Sequence, residues 1–338
     1  MLQIDKQMQK WLILLIIAGV FAILAGSAVY SFAKPVNAAA GDAVMVVVKP
    51  GMTTQAIGEL LYEKGLIKNV LLFRIVAKLE GAEGSLKAGE YALSKAMTVN
   101  EMIGKLTRGE TAYKQFTIPE GFTIDQIAAF LEKNNLASAA KYKTFAAGYA
   151  PYDYINPAAN AKYKAEGFVF PDTYRIAAGT NEEQLVKMMM SQFDSQFTPA
   201  MRQRAAELGL SVREVVILAS LVEKEAQVAA ERPVIAGVFM RRLKLEMPLQ
   251  SCATIQYILG YPKPELTVQD TELPSPYNTY QNMGLPPGPI ASPGLAAIKA
   301  VLNPADTDYL YFFANKDGSH VFSRTYDEHL AAINRDGN

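Results

Sequence analysis

Residues 11–33 run for 23 positions without a charge and consist mostly of Leu, Ile, Ala and Val. A bilayer core takes about 20 apolar residues as one helix, so this stretch reads as a transmembrane helix. Lys6 and Lys10 precede it, and Lys34-Pro35 closes it. The positive-inside rule keeps residues 1–10 as a cytoplasmic tail and exports the rest, although Lys34 on the far side narrows the contrast. Two other readings compete. Ala38-Ala39-Ala40 resembles the cleavage site of a signal peptide, but the run exceeds the roughly 7–15 apolar residues usual there. A helix buried in a soluble core is the third reading.

The remainder has material for two modest domains. Half of the 338 residues are hydrophobic, and 33 Lys+Arg balance 33 Asp+Glu. With no basic tract above that background, nothing points to a nucleic-acid partner. Cys252 is alone, which excludes an intrachain disulfide and a Cys-rich metal site. His320 and His329 are the two histidines, so a zinc site would need both of them plus carboxylates. His320 has no Gly-x-Ser-x-Gly elbow to complete a catalytic triad. Both histidines read as structural, and no cofactor is implied.

The fold class read from the chain is α+β, in two parts behind the membrane helix. After a linker at 34–42, residues 42–112 form a small module. It has a β-rich run at 44–49, a turn at Pro50-Gly51, and a helix over 53–64 that Gly65 terminates. A second helix over about 69–80 and a strand over about 89–93 follow. Strand–helix–helix–strand in this compass resembles a LysM-like glycan-binding module; a plain spacer fits the pattern equally. Thr98-x-x-Glu101 caps one more helix, ended by Gly109.

Residues 113–338 form the larger α+β domain. A strand at 116–119 leads to Glu120-Gly121-Phe122, and Thr123-x-x-Gln126 caps a helix through Leu131. Residues 137–165 read as an irregular insertion or a helical cover. Thr180-x-x-Glu183 is the expected cap of a Met-rich helix through Phe193, and Thr198-Pro199 opens the next.

Within that domain, residues 215–226 set a carboxylate among apolar neighbours. Ser211 and Glu214 make a capping box that starts the helix. At about 100° per residue, Leu218, Leu221 and Val222 fall within roughly 60° of Glu225, while Glu223 points the other way with Val216 and Ser220. A carboxyl against apolar walls resists ionisation, which suits a general acid near neutral pH. The alternative is a buried salt bridge from Glu225 to Arg232 or Arg241. Downstream, Leu249-Gln250-Ser251, Tyr257, Ser275-Pro276-Tyr277-Asn278-Thr279-Tyr280 and residues 284–290 mix aromatic faces, amides and a Pro/Gly run. Such a surface suits a polar, extended ligand such as a glycan. Core or turn positions for Tyr277 and Tyr280 are the competing reading.

Several of these segments together resemble the YceG-like family of endolytic murein transglycosylases. They are residues 218–225, Phe239-Met240-Arg241-Arg242-Leu243, Met247-Pro248-Leu249-Gln250, Tyr277-Asn278-Thr279-Tyr280 and 284–290, with Glu120-Gly121 and Phe170-Pro171-Asp172-Thr173 upstream. The likeness covers almost the whole chain. One departure is Ser251-Cys252-Ala253-Thr254, read as a strand, where the family more often has Asp-Pro before the Thr; the role of its backbone stays open.

The resemblance implies a single-pass enzyme of the bacterial inner membrane with its catalytic domain in the periplasm. It would cut the β-1,4 bond between N-acetylmuramic acid and N-acetylglucosamine within peptidoglycan glycan strands. Glu225 would be the catalytic acid and then base, leaving 1,6-anhydro ends and helping to terminate glycan elongation. Gln250, Tyr277 and Asn278 are the candidate substrate-binding residues, and peptidoglycan synthases (penicillin-binding proteins) the expected partners. Two other functions stay open: a muramidase-type hydrolase pairing Glu225 with Glu231, Asp270 or Glu272, and a non-catalytic wall-binding scaffold.

Overall fold

A computed structural model of the chain describes residues 34–177, 179–263 and 265–336, together with 11, 14–17, 19 and 20. Most of the span expected at 11–33 lies outside these residues. Among the described residues no helix is long and apolar enough to cross a membrane. The fold is α+β: helices dominate, and the sheets have two strands each.

The chain divides into two compact units, the first comprising residues 1–115 and 175–179. Its described part begins with β1 (Ala43–Val48), α1 (Thr54–Glu63), α2 (Val70–Leu79), β2 (Gly89–Ser94) and α3 (Val99–Arg108). β1 and β2 pair antiparallel, with Ala43 opposite Ser94 and Val48 opposite Gly89. Strand alternation turns Val46 and Val48 inward onto Ile57, Leu61, Phe73 and Leu106, and leaves Met45 and Val47 exposed. The helices start where their caps place them. Thr53 accepts from Ala56 N at 3.2 Å, Asn69 accepts from Leu72 N at 3.1 Å, and Thr98 closes a capping box with Glu101. Gly109 ends α3 in the left-handed region.

β3 (Tyr113–Thr117) pairs with β4 (Thr173–Ala177). The second unit, residues 116–174 and 180–338, holds α4 (Ile124–Lys133), α5 (Ala139–Gly148), α6 (Glu182–Gln196), α7 (Pro199–Glu207) and α8 (Val212–Glu225). A 3-10 turn at Ala229–Glu231 leads into α9 (Arg232–Lys244), α10 (Cys252–Leu259), α11 (Val268–Thr271) and α12 (Leu295–Leu302). The hairpin β5 (Tyr311–Ala314)–β6 (His320–Ser323) and α13 (Tyr326–Asp336) complete it.

α8 is the axis of this unit and packs on α12, α9, α10 and α7. Every residue from Val215 to Val222 is buried, Ser220 included. A helix apolar all round is a core helix, so the side shared by Val216 and Ser220 is as interior as the rest. Ser220 is satisfied locally: its hydroxyl donates to Ile217 O at 2.7 Å and accepts from Ile290 N at 3.1 Å.

Two local expectations are corrected. The cap of α6 is Asn181, one residue beyond Thr180, because Asn181 and Gln184 make the reciprocal box. Residues 251–254 are not a strand: they turn into α10, the positive φ of Gln250 (+50°) redirecting the chain. Of the two readings for residues 137–165, an irregular insertion or a helical cover, α5 supplies a helix.

Gly167 sits at φ +80° where a Cβ would overlap Pro289 and Val216 of α8. Left-handed strain and overpacking act together there. Gly167→Ala is expected to destabilise the second unit by about 3 kcal/mol; an unchanged melting temperature in circular dichroism would contradict this packing.

Candidate active site

Glu225 is the last residue of α8, and Ala226 leaves the helix with extended backbone. At that end the helix carbonyls present partial negative charge, which disfavours a second anion. The side chain is half-buried. Its burial raises the carboxyl's proton affinity above the usual range, opposed by hydrogen bonds from Ser251 and Ala253 and by the charges of His320 and Lys224.

The start of α10 grips one oxygen of this carboxyl. Ser251 Oγ donates to Oε1, and Ala253 N reaches the same oxygen at 3.4 Å. These donors lie where a helix leaves N–H groups without internal partners. Oε2 accepts no hydrogen bond among the described residues, which leaves it able to carry a proton. Ser251 is itself held, its N donating to Thr279 Oγ1 at 3.0 Å. Thr254 and Thr279 join hydroxyls at 3.0 Å.

The salt-bridge alternative is not what forms. Among the described residues no cation pairs with Glu225; Arg232 lies 4.0 Å from Glu223 instead. Glu223 accepts from Gly294 N at 3.1 Å, and burial raises its proton affinity too. Beside the site, a cavity of about 140 Å³ is lined by Thr123, Asp125, Gln126, Lys224, Ala253, Gln256 and Tyr257, among others. Carboxylate, ammonium, amide and ring face one space there, a mixture suited to an amino sugar. Lys224 also ties this wall to the loop before α4, donating to Gly121 O at 3.4 Å.

The predicted substrate-binding residues fall at different depths. Gln250 is exposed; its Oε1 accepts from Arg242 Nη1 at 3.2 Å, and its side-chain nitrogen makes no hydrogen bond among the described residues. Tyr277 is 5% exposed, its hydroxyl accepting from Lys162 N at 3.1 Å and its ring centroid 5.0 Å from that of Tyr257. Asn278 is fully buried: Nδ2 donates to Thr271 O at 3.0 Å and Leu273 O at 2.8 Å, while Oδ1 accepts from Tyr280 N at 2.9 Å. These two side chains shape the loop that presents Thr279 to Ser251.

The carboxylates considered for a hydrolase partner are engaged elsewhere. Glu231 holds His320 twice, with Oε2 2.7 Å from Nδ1 and Oε1 accepting from the backbone N at 3.1 Å. Asp270 is bound by Lys263 and Thr267, which hold its carboxyl down to about 2. Glu272 lies exposed just beyond α11. None of the three makes a hydrogen bond to Glu225 among the described residues. The Ser251–Glu225 contact, the Glu231–His320 pairing and the burial of Glu166 were not read from the sequence. Their roles depend on contacts across tens of residues, and no local spacing marks them.

A half-buried carboxyl on a core helix, beside a polar cavity and without an ionic partner, is the arrangement of an acid–base site on an α+β scaffold. The chain belongs to the YceG-like family, which it matches over residues 46–335. A protein of Bacillus subtilis (strain 168) named endolytic murein transglycosylase is 36% identical over 327 residues, covering 92% of this chain and 90% of that one. The protein of the same name from Streptococcus pneumoniae serotype 2 (strain D39 / NCTC 7466) is 35% identical, and the match covers 87% of this chain and 58% of that one. The 2.6 Å crystal structure of a yceG-like protein from Listeria monocytogenes superposes with a TM-score of 0.63 at 32% identity, over 86% of this chain and 98% of that one.

The raised proton affinity of Glu225 has a stability consequence. Its folded-state pKa lies above the unfolded value, so stability is fully present below the unfolded pKa and is lost as pH rises toward the folded one. Glu225→Gln keeps the Ser251 contact and removes the titration. The variant should melt above the wild type at pH 7, with the gap closing toward pH 4, as read by calorimetry across that range.

Proposed function

We propose that this protein is an endolytic murein transglycosylase, a lyase that cuts the N-acetylmuramic acid–N-acetylglucosamine β-1,4 bond inside a glycan strand without consuming water. The single observation that carries the reading is the carboxyl of Glu225, fixed through one oxygen by Ser251 and Ala253 and, among the described residues, hydrogen-bonded to no second carboxylate. The names of the relatives above point to the same substrate.

The chemistry follows from one group used twice. Protonated Glu225 gives its proton to the glycosidic oxygen; the C1–O bond breaks, and the N-acetylglucosamine side leaves with a free 4-hydroxyl. The carboxylate so formed takes the proton of the muramic acid C6 hydroxyl as O6 bonds to C1. The product is a 1,6-anhydro end, and Glu225 is protonated again. A hydrolase of the common two-carboxylate design needs a second acidic group to activate water or attack C1; an internal hydroxyl removes that need. The desolvation that raises the Glu225 pKa favours the protonated form that the first step uses. Gln250, with a free amide nitrogen at the surface, is the direct sugar contact of the three candidates; Tyr277 and Asn278 hold the wall behind it.

The cellular setting belongs to the same proposal. Residues 11–33 anchor the chain in the bacterial inner membrane, the catalytic unit works in the periplasm, and the β–α–α–β module at 42–112, LysM-like in order, holds glycan. Cutting nascent strands there would help to end their elongation, beside the penicillin-binding synthases that make them.

Purified murein digested by the full-length chain, with products read by mass spectrometry, tests the reading. Anhydro-muramic ends are expected, with at least about a 100-fold loss of rate in Glu225→Gln, the scale of general acid catalysis. Reducing ends would instead mark a hydrolase, and binding without cleavage a scaffold.

A further inference from the structure

Glu166 belongs to none of the motifs above, yet it is fully buried. Both of its oxygens are used. Ile124 N donates to Oε1 at 2.9 Å, and the Tyr257 hydroxyl donates to Oε2 at 3.0 Å. Ile124 is the first residue of α4, and Tyr257 lies in α10. Those elements supply two walls of the 140 Å³ cavity: Thr123, Asp125 and Gln126 on one, Ala253, Gln256 and Tyr257 on the other. α10 also carries the donors that aim Glu225.

A plain helix cap does not account for this carboxyl. α4 already has a complete capping box, with Thr123 Oγ1 accepting from Gln126 N at 3.1 Å and Gln126 Oε1 accepting from Thr123 N at 2.9 Å. A cap would also have no use for the second arm to Tyr257. We propose that Glu166 is a positioning residue that fastens α4 to α10, setting the width of the sugar pocket and, through α10, the aim of Glu225. The inference rests on the reading that this pocket receives a sugar beside Glu225.

The charged and titratable groups facing Glu166 are Asp125 from α4, Tyr142 from α5, Lys162 and Tyr163 from the segment after it, Tyr257 from α10 and Tyr277. Burial pushes Glu166 up to about 8, so the brace is neutral through physiological pH. Above that value the anion is opposed by burial and favoured by both hydrogen bonds. A glutamine in its place offers Ile124 the same acceptor, can donate to the Tyr257 oxygen, and does not titrate.

The test uses the full-length chain in detergent with murein as substrate, and a soluble muramyl disaccharide as the binding probe. Glu166→Ala should raise KM about tenfold and weaken disaccharide affinity similarly, the scale of losing two buried hydrogen bonds. Glu166→Gln should restore both to within about threefold near pH 6. Unchanged KM and affinity in Glu166→Ala would overturn the proposal, as would a Glu166→Gln variant no better than Glu166→Ala. Should Glu166→Ala not fold, Tyr257→Phe cuts one arm alone, and a KM equal to wild type there also overturns it. If the wild type never cleaves murein while disaccharide affinity still drops in Glu166→Ala, the lyase reading fails and the brace stands.

Discussion

The burial of α8 on every side is the constraint on which the catalytic unit depends. Eight consecutive residues, Val215 to Val222, give this helix no solvent face, so its direction and end point are fixed by α7, α9, α10 and α12 together. Close-packed interiors transmit small displacements instead of absorbing them. The carboxyl at the end of such a helix inherits that rigidity. It needs only a short reach to α10, and Ser251 supplies it. Preorganisation of this kind is what proton transfer at a fixed oxygen requires.

The site is layered outward from that point. Ser251 holds Glu225, Thr279 holds Ser251, and Asn278 and Tyr277 hold the loop that carries Thr279. Each link is a hydrogen bond between groups with few other partners, and buried polar groups left unpaired are costly. Buried residues behind Glu225 therefore fix the geometry of the site. Tyr277 and Asn278, chosen from the sequence for their chemistry toward glycans, fit this supporting position in the structure.

How much was legible follows from how local each signal is. Capping boxes at Thr98, Thr123 and Ser211 were readable because both halves lie within four residues. The cap at Asn181 was missed because Thr180-x-x-Glu183 offers an equally good box one residue earlier; the competing pair won in three dimensions. Glu225 was visible from helical spacing among Leu218, Leu221 and Val222. Its contact with Ser251, 26 residues on, was not, since residues 251–254 read as a strand and a left-handed Gln250 has no sequence signature. Glu166 was silent for the same reason: a lone Glu before an aromatic run gives no hint that Ile124 and Tyr257 converge on it from 42 and 91 residues away.

The sheets carry a further implication. Among the described residues each sheet has two strands, so each strand is an edge, and edges are where another chain could pair. In β1 the outward residues Met45 and Val47 are apolar as well, while the inward ones are covered by Ile57, Leu61, Phe73 and Leu106 of the helices. A truncation that removed the helices between residues 48 and 89 would bare the inner face of the strand pair too, so the small module is best handled whole.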